Sequence, residues 1–460
     1  MQLKRDLLRV FNSNFINLII GVINGFLIPA FLSIDEYAHL KTFTLYLSYV
    51  GILHFGFIDG IYLKYGGKTE EDIDIKRLKG EHKFMAFFQL VLTVITIVFG
   101  LLLKDPILIA FSTAILPINI QTLYKFLYQA IGEFKIYSRI MILTPNLLLF
   151  FNLLLIFVFK WNNFWPFVIA NILSYYIVFF GLEYYFFKKY KGIPTVVAFP
   201  EIKNHFRVGI FIMFGNLASM LFYSSDRWFV KIFLTTSDFA YYSFAISLMS
   251  VINVLINTVS MTFYPYLARR QENDKLVLMK KYLLILGTLA CGSYFVFDFI
   301  VRNFIEKYVP SLDIISILFL GFPAMIIINA IYVNLYKALK QERKYLYTVL
   351  KMCSVAITLN VIAILTFKTN FAIALATTLA FYIWFFYSTK DFRVLKPTVG
   401  EISYLIVLFV IFYVSTNYMH WLIGMLVFYI TMFATTYILY QKDLINMFKE
   451  LFAWKKTKNA

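Results

Sequence analysis

Apolar runs long enough to cross a lipid bilayer recur along the whole chain, and no other feature limits its fold so strongly. A helix needs about 20 mostly apolar residues to cross a hydrocarbon layer roughly 30 Å thick. With that window the sequence presents fourteen candidate spans, at about 10–32, 38–62, 84–104, 106–127, 140–159, 164–187, 208–233, 239–263, 282–301, 312–336, 346–367, 371–388, 402–418 and 421–440. The first follows Lys4, Arg5 and Arg9 as the apolar run of a signal peptide would. Its apolar stretch is too long, however, and lacks a small-residue cleavage site, so it reads as a retained helix. Of the 460 residues, 61% are apolar and 15% charged, with 52 Phe. A single aqueous core cannot hide so much apolar surface, because cores stop growing at roughly 250–300 residues. A soluble enzyme is thereby excluded. Cys291 and Cys353 both lie in apolar runs, where a free thiol behaves as a small hydrophobe, so a secreted disulfide scaffold is excluded too.

The formal charge is +18, read first as a topology signal rather than as the footprint of a nucleic-acid partner. The N-terminus, every second connection and the C-terminus together hold 35 of the 43 Lys and Arg. By the positive-inside rule that set faces the cytoplasm, with both termini inside. The opposite connections are short, about a dozen residues or fewer, and leave no room for a domain holding carboxylates and a metal. The longest inner loop, 66–83, is a mixed charge run that reads as a solvated connection. Its Gly67-Lys68-Thr69 resembles the end of a phosphate-binding loop, but Tyr62 stands where that pattern needs Gly.

A repeat runs through the chain. Leu32-Ser33-Ile34-Asp35-Glu36-Tyr37-Ala38 after span 1 matches Leu234-Thr235-Thr236-Ser237-Asp238-Phe239-Ala240 after span 7, at an offset of 202 residues. Leu123-Tyr124-Lys125 and Leu335-Tyr336-Lys337 end spans 4 and 10, at an offset of 212. Both pairs join helix n to helix n+6 in the same orientation. The expected fold is therefore all-α and polytopic, with two parallel pseudo-symmetric six-helix halves and two C-terminal helices. The expected divisions are 1–200, 201–397, 398–440 and a cytoplasmic amphipathic tail over 441–460. Parallel halves of this kind place a substrate site between them in secondary transporters.

Polar side chains inside spans mark where such a site could lie. Span 1 carries Asn14, Asn17, Gly21 and Asn24 on one helical face, and span 7 carries Asn216, Ser219, Tyr223 and Asp226 with the same spacing. Span 8 aligns Ser243, Ser247, Ser250, Asn253, Asn257 and Ser260. Each stripe is either hydrogen-bonding glue between helices or the wall of a polar cavity. Asp226 and Arg227 stand inside span 7, either as a site or as a local ion pair with Arg227 and Lys231 snorkelling to the interface. Lys125 and Lys337 sit at inner helix ends, where snorkelling accounts for them, and Lys125 is kept as a substrate-binding candidate. His54 and Asp59 in span 2 suit a proton relay or a satisfied histidine with a helix-end acid. In the tail, Leu444, Phe448, Leu451 and Phe452 share one face with lysines around it, as in a helix lying on the inner leaflet.

Several short motifs resemble the polysaccharide-type flippases of the multidrug/oligosaccharidyl-lipid/polysaccharide exporter superfamily. They are Pro29 near the outer end of span 1, Asp35-Glu36-Tyr37, Phe55-Gly56-Phe57, Ser225-Asp226-Arg227, Asp238-Phe239-Ala240-Tyr241 and Phe263-Tyr264-Pro265. The family usually has Gly where Ala38 and Ala240 stand here. The resemblance implies a flippase for a polyprenyl-diphosphate-linked oligosaccharide in the bacterial inner membrane, not an enzyme, with no cofactor and no metal. Arg227 would meet diphosphate or an acidic sugar bidentately, while Asn17, Asn24, Asn253 and Asn257 would meet hydroxyls, and Asp226, Asn216 and Lys125 complete the candidate set. Expected partners are the lipid-linked oligosaccharide, membrane lipid and a coupling proton or sodium gradient. The alternatives are a cation-coupled multidrug exporter of the same superfamily and a membrane-embedded glycosyl- or acyltransferase using His420. Scarce mid-span carboxylates oppose the exporter, short outer loops oppose the glycosyltransferase, and no paired His/Asn or His/Asp array supports the acyltransferase.

Overall fold

The computed structural model describes the backbone of residues 2–269 and 272–458, and the side chains of residues 9–256, 260, 263, 267 and 272–441. No strand occurs among the described residues. These residues form eighteen α-helices: α1 (Gln2–Phe31), α2 (Ile34–Leu47), α3 (Phe57–Tyr65), α4 (Ile75–Leu103), α5 (Pro106–Ala130), α6 (Phe134–Leu153), α7 (Phe164–Lys189), α8 (Phe199–Phe233), α9 (Thr236–Arg269), α10 (Asn273–Cys291), α11 (Ser293–Phe304), α12 (Leu312–Phe319), α13 (Phe322–Ile327), α14 (Val333–Ala338), α15 (Glu342–Thr366), α16 (Asn370–Ser388), α17 (Val399–Asn417) and α18 (Trp421–Lys458).

The described residues hold twelve helices long and apolar enough to cross a membrane. Two bent pairs, Ile34–His54 with Phe57–Tyr65 (59°) and Glu306–Phe319 with Phe322–Ala338 (44°), bring the number to fourteen. Starts are set locally. Asp74, Asp105, Asn163 and Thr369 accept hydrogen bonds from the first-turn amides of α4, α5, α7 and α16, and Pro106 opens α5 where its missing N–H costs nothing. The bends are local as well. At the first, Phe55 (φ 49°) and Gly56 (φ 82°) are left-handed, and the amide of Gly56 donates to Nδ1 of His54 (3.1 Å). At the second, Pro323 follows Gly321 at the start of α13, so the helical hydrogen-bond ladder restarts there.

The chain divides into two compact units, Met1–Leu221 and Phe222–Ala460; α8 runs through the division. In the first unit α1 packs on α6, α4 on α5, and α5 on α3, α6 and α7. Its core gathers Phe57, Ile61, Tyr65, Met85, Ile120, Tyr124 and Phe186. Gly56, which caps the start of α3, and Gly60 within it matter here. A Cβ on Gly56 or Gly60 would strike the backbone of Gly209 or His205 on α8, so this crossing requires small residues on a helical spacing. In the second unit α9 packs on α12 and α14, α10 on α13, α12 and α15 on α16, and α17 on α18. The apolar stretch of α5 is 61% buried and that of α16 67%, against 17% for α4. Phe87, Val94, Val98, Leu101 and Leu102 of α4 are exposed, as helices bathed in acyl chains require.

Each unit repeats two internal contacts. Glu36 accepts from the amide of Phe164 at the start of α7 (2.6 Å), and Asp238 accepts from the side-chain amide of Asn370 at the start of α16 (2.9 Å). Tyr124 donates to Glu183 (2.8 Å), and Tyr336 donates to Asp391 (2.6 Å). Glu36 and Asp238, and Tyr124 and Tyr336, are the residues that the two offsets relate, and their partners lie 206 and 208 residues apart.

The charge run 66–83 departs from its expected role as a solvated connection. Its second half forms the first turns of α4, and Glu81 and His82 are buried there.

Candidate functional site

Within the second unit, α8, α9, α13 and α16 enclose a cavity of about 300 Å³. Tyr223, Asp226 and Arg227 line it from α8, Ser250 and Asn253 from α9, Asn329 from the helical turn 328–332 that follows α13, and Thr377 from α16, with Met249, Met325 and Phe381 between them. The 3- and 4-residue spacing of Tyr223, Asp226 and Arg227 puts them on one side of α8, as Ser250 and Asn253 share one side of α9.

Asp226 is 2% exposed. Its Oδ2 accepts from Tyr242 (2.7 Å) and Thr377 (3.3 Å), and its Oδ1 accepts from the backbone amide of Arg227 (2.7 Å). The carboxylate is thus held by neutral donors, which is how a buried acid avoids an unmet desolvation cost. Tyr223 donates to Asn329 Oδ1 (3.2 Å). Two cavity groups are buried with no hydrogen-bond partner, Arg227 Nε and Asn253 Oδ1. A guanidinium nitrogen and an amide oxygen in that condition are a donor and an acceptor ready for an oxygen-rich ligand.

The remaining sequence-derived residues lie elsewhere. Asn17 donates to the carbonyl of Met141 (3.3 Å), and Asn24 accepts from Asn152 (3.0 Å), so both bind α1 to α6 inside the first unit. Asn216 is exposed, and Lys125 is half-buried near the end of α5. The side chain of Asn257 lies outside the described residues, as do those of the tail from residue 442 onward. His54 is satisfied by the Gly56 amide and lies 3.9 Å from Asp59.

A second polar assembly was not legible in the sequence. Glu81 accepts from Lys64 (2.6 Å), Tyr65 (2.8 Å) and His205 (2.8 Å). Lys64 also meets Glu201 (2.6 Å), which in turn pairs with Arg77. Next to it His82 and Tyr124 both reach Oε1 of Glu183, at 2.8 Å each. The partners come from α3, α4, α5, α7 and α8, so only the tertiary fold assembles them. In the cavity itself Asn329 and Thr377 were missed, and the signal available for each was a polar side chain standing in an apolar run.

Comparison with known proteins agrees with this architecture. A family model described as "Polysaccharide biosynthesis protein" matches residues 82–271. No curated protein matches the sequence. Among solved structures, the lipid II flippase MurJ in an inward closed conformation superposes with a TM-score of 0.71, at 17% identity, over 96% of this chain and 99% of that one. The fold is that of the MOP-superfamily transporters. Two further structures of the superfamily are similar. The inward-facing conformation of a multidrug resistance MATE family transporter has a TM-score of 0.53 at 13% identity, covering 84% of this chain and 96% of that one. An outward-facing conformation of such a transporter has a TM-score of 0.52 at 12% identity, covering 86% and 97%. A MOP fold with twelve to fourteen apolar spans makes the chain a multi-pass membrane protein. The three solved structures are a flippase and two multidrug resistance transporters.

Proposed function

We propose that this MOP-fold chain moves a polyprenyl-diphosphate-linked oligosaccharide repeat unit from the cytoplasmic to the outer leaflet of a bacterial inner membrane by alternating access. The product would serve a cell-surface polysaccharide such as capsule or O-antigen. The observation that carries the reading is Arg227. Its guanidinium lines the cavity with Nε unpartnered, while the neighbouring Asp226 places its hydrogen bonds on Tyr242, Thr377 and a backbone amide. A diphosphate or uronic-acid group cannot enter hydrocarbon unaided, and a guanidinium in a low-dielectric cavity can replace its water with bidentate hydrogen bonds. Asn253, Ser250 and Asn329 add neutral groups suited to sugar hydroxyls. The family match over residues 82–271 agrees with a polysaccharide cargo. Lysine and arginine placement supports cytoplasmic termini.

The test is a lipid extract from cells lacking the gene, analysed by mass. Accumulation of one diphosphate-linked oligosaccharide with loss of the matching surface polymer is expected. Restoring the gene as Arg227→Ala should leave the lipid accumulated although the protein inserts, and Arg227→Lys should clear it only in part. The second reading is a cation-coupled exporter. It has Asp226 as its carboxylate, the one acid among the described residues lining the cavity. An unchanged lipid pool with new sensitivity to cationic drugs would favour it.

A further inference from the structure

The end of α7 carries a feature that transport through the second unit does not use. Phe180, Glu183, Tyr184, Phe187, Lys188 and Lys191 line an open groove of about 550 Å³ on the first unit. Phe180, Tyr184 and Phe187 are exposed large rings on a helix that crosses the membrane, so acyl chains must cover them. Among the rings stands a carboxylate, Glu183, and beyond them come two amines, Lys188 near the end of α7 and Lys191 two residues past it. Glu183 is fixed from behind: His82 (3% exposed) and Tyr124 (1%) both hold its Oε1, which leaves Oε2 as the oxygen toward the groove. Lys188 folds back over the ring (5.4 Å to its centre) of Tyr184, the residue next to Glu183 in the chain. The adjacent Lys189, on another face of α7, is paired with Glu70 (2.6 Å). Neither Lys188 nor Lys191 is ion-paired among the described residues.

A polybasic helix end attracts any anionic headgroup. A fixed carboxylate among the lysines changes the selection, because it repels a headgroup that is only negative. We propose that this groove binds a zwitterionic phospholipid bearing a primary ammonium group. Its phosphate sits between Lys188 and Lys191, its ammonium donates to Glu183 Oε2, and one acyl chain lies along Phe180, Tyr184 and Phe187. A trimethylated headgroup lacks the N–H donors that Glu183 needs, and a glycerol headgroup lacks the positive charge.

Native mass spectrometry of the detergent-solubilised full chain tests the assignment. Phosphatidylethanolamine, phosphatidylglycerol and phosphatidylcholine with identical acyl chains are titrated in competition. The ethanolamine lipid should be retained about tenfold over the other two, the scale of one hydrogen bond between charged groups. Glu183→Gln should erase the preference of ethanolamine over glycerol lipid while glycerol lipid still binds. The double variant K188A/K191A changes only exposed side chains and therefore keeps the fold. It should lower retention of both phosphatidylethanolamine and phosphatidylglycerol. Equal retention of the three lipids by the wild type, glycerol lipid displacing ethanolamine lipid, or unchanged binding by K188A/K191A would each overturn the proposal.

Discussion

Asp226 and Arg227 are sequence neighbours with opposite treatment. The acid is enclosed and satisfied by Tyr242, Thr377 and a backbone amide, while the base keeps a buried nitrogen without a partner. Tyr242 is then a positioning residue for the cavity wall. Tyr242→Phe removes one donor to a buried carboxylate and should destabilise the protein by about 1–3 kcal/mol. Thermal unfolding in detergent followed by tryptophan fluorescence checks it; an unchanged midpoint would mean that Thr377 and the amide suffice. The same scale explains why the span 1 stripe misleads. Asn17 and Asn24 are as polar and as regularly spaced as the residues of α8 and α9, yet they bond α6. Spacing fixes which face of a helix is polar and leaves open what that face meets.

Among the elements, buried ion pairs act as joints. Lys280 on α10 donates to Glu401 (2.7 Å) and to the carbonyls of Leu395 and Lys396, and Glu401 also closes the capping box of α17 with Thr398. The pair fastens the α17–α18 hairpin to α10. Lys280→Ala would strand a carboxylate that is 3% exposed and should cost about 3–5 kcal/mol. Loss of monodisperse protein in size-exclusion chromatography, reversed by the double change Lys280→Met with Glu401→Leu, is the expected readout. The Glu70–Lys189–Tyr190 joint at the end of α7 is exposed enough to titrate. Burial acts to raise the Glu70 carboxyl, but hydrogen bonds from Lys189 and Tyr190 and the lysine's charge outweigh it, so its pKa lies below the ordinary 4.5. A carboxylate whose folded pKa is depressed stabilises the fold above its unfolded pKa and loses that contribution as pH falls through the folded value. The melting difference between wild type and Glu70→Gln should therefore be constant above pH 5 or so and shrink below about 4.5. Solvent screening keeps that difference small. The left-handed Phe55-Gly56 break was visible only as a motif. Its reason, the approach of α8 to Gly56 and Gly60, spans some 150 residues of chain.

At the scale of the whole molecule, the division into six, six and two helices with boundaries near 200, 397 and 440 stands as a proposal, alongside the compact units Met1–Leu221 and Phe222–Ala460. Orientation is directly testable. Cys291 and Cys353 are buried, so they should stay silent to an impermeant thiol reagent. A cysteine at Glu133, in a basic connection, should then be labelled only in inverted vesicles, and one at Asn162 only in intact cells. The reverse pattern would invert the topology.

Span number, helix order, the alternation of basic connections and the repeat were all determined by the sequence alone. Each rests on a one-dimensional property: an apolar run must match the bilayer thickness, and lysine counts are local. The repeated contacts of Glu36 with α7 and Asp238 with α16 show how much of the architecture a local motif can carry. The tertiary structure alone decided which polar face became a cavity and which became glue. It also decided that Glu81 and His82, in a charge run that looks water-facing, would be buried. A charged side chain in sequence has no partner until the fold supplies one. Lys64, His205, Tyr124 and Glu183 reach that point from four other helices, and it is their hydrogen bonds, not the local pattern, that make the burial stable.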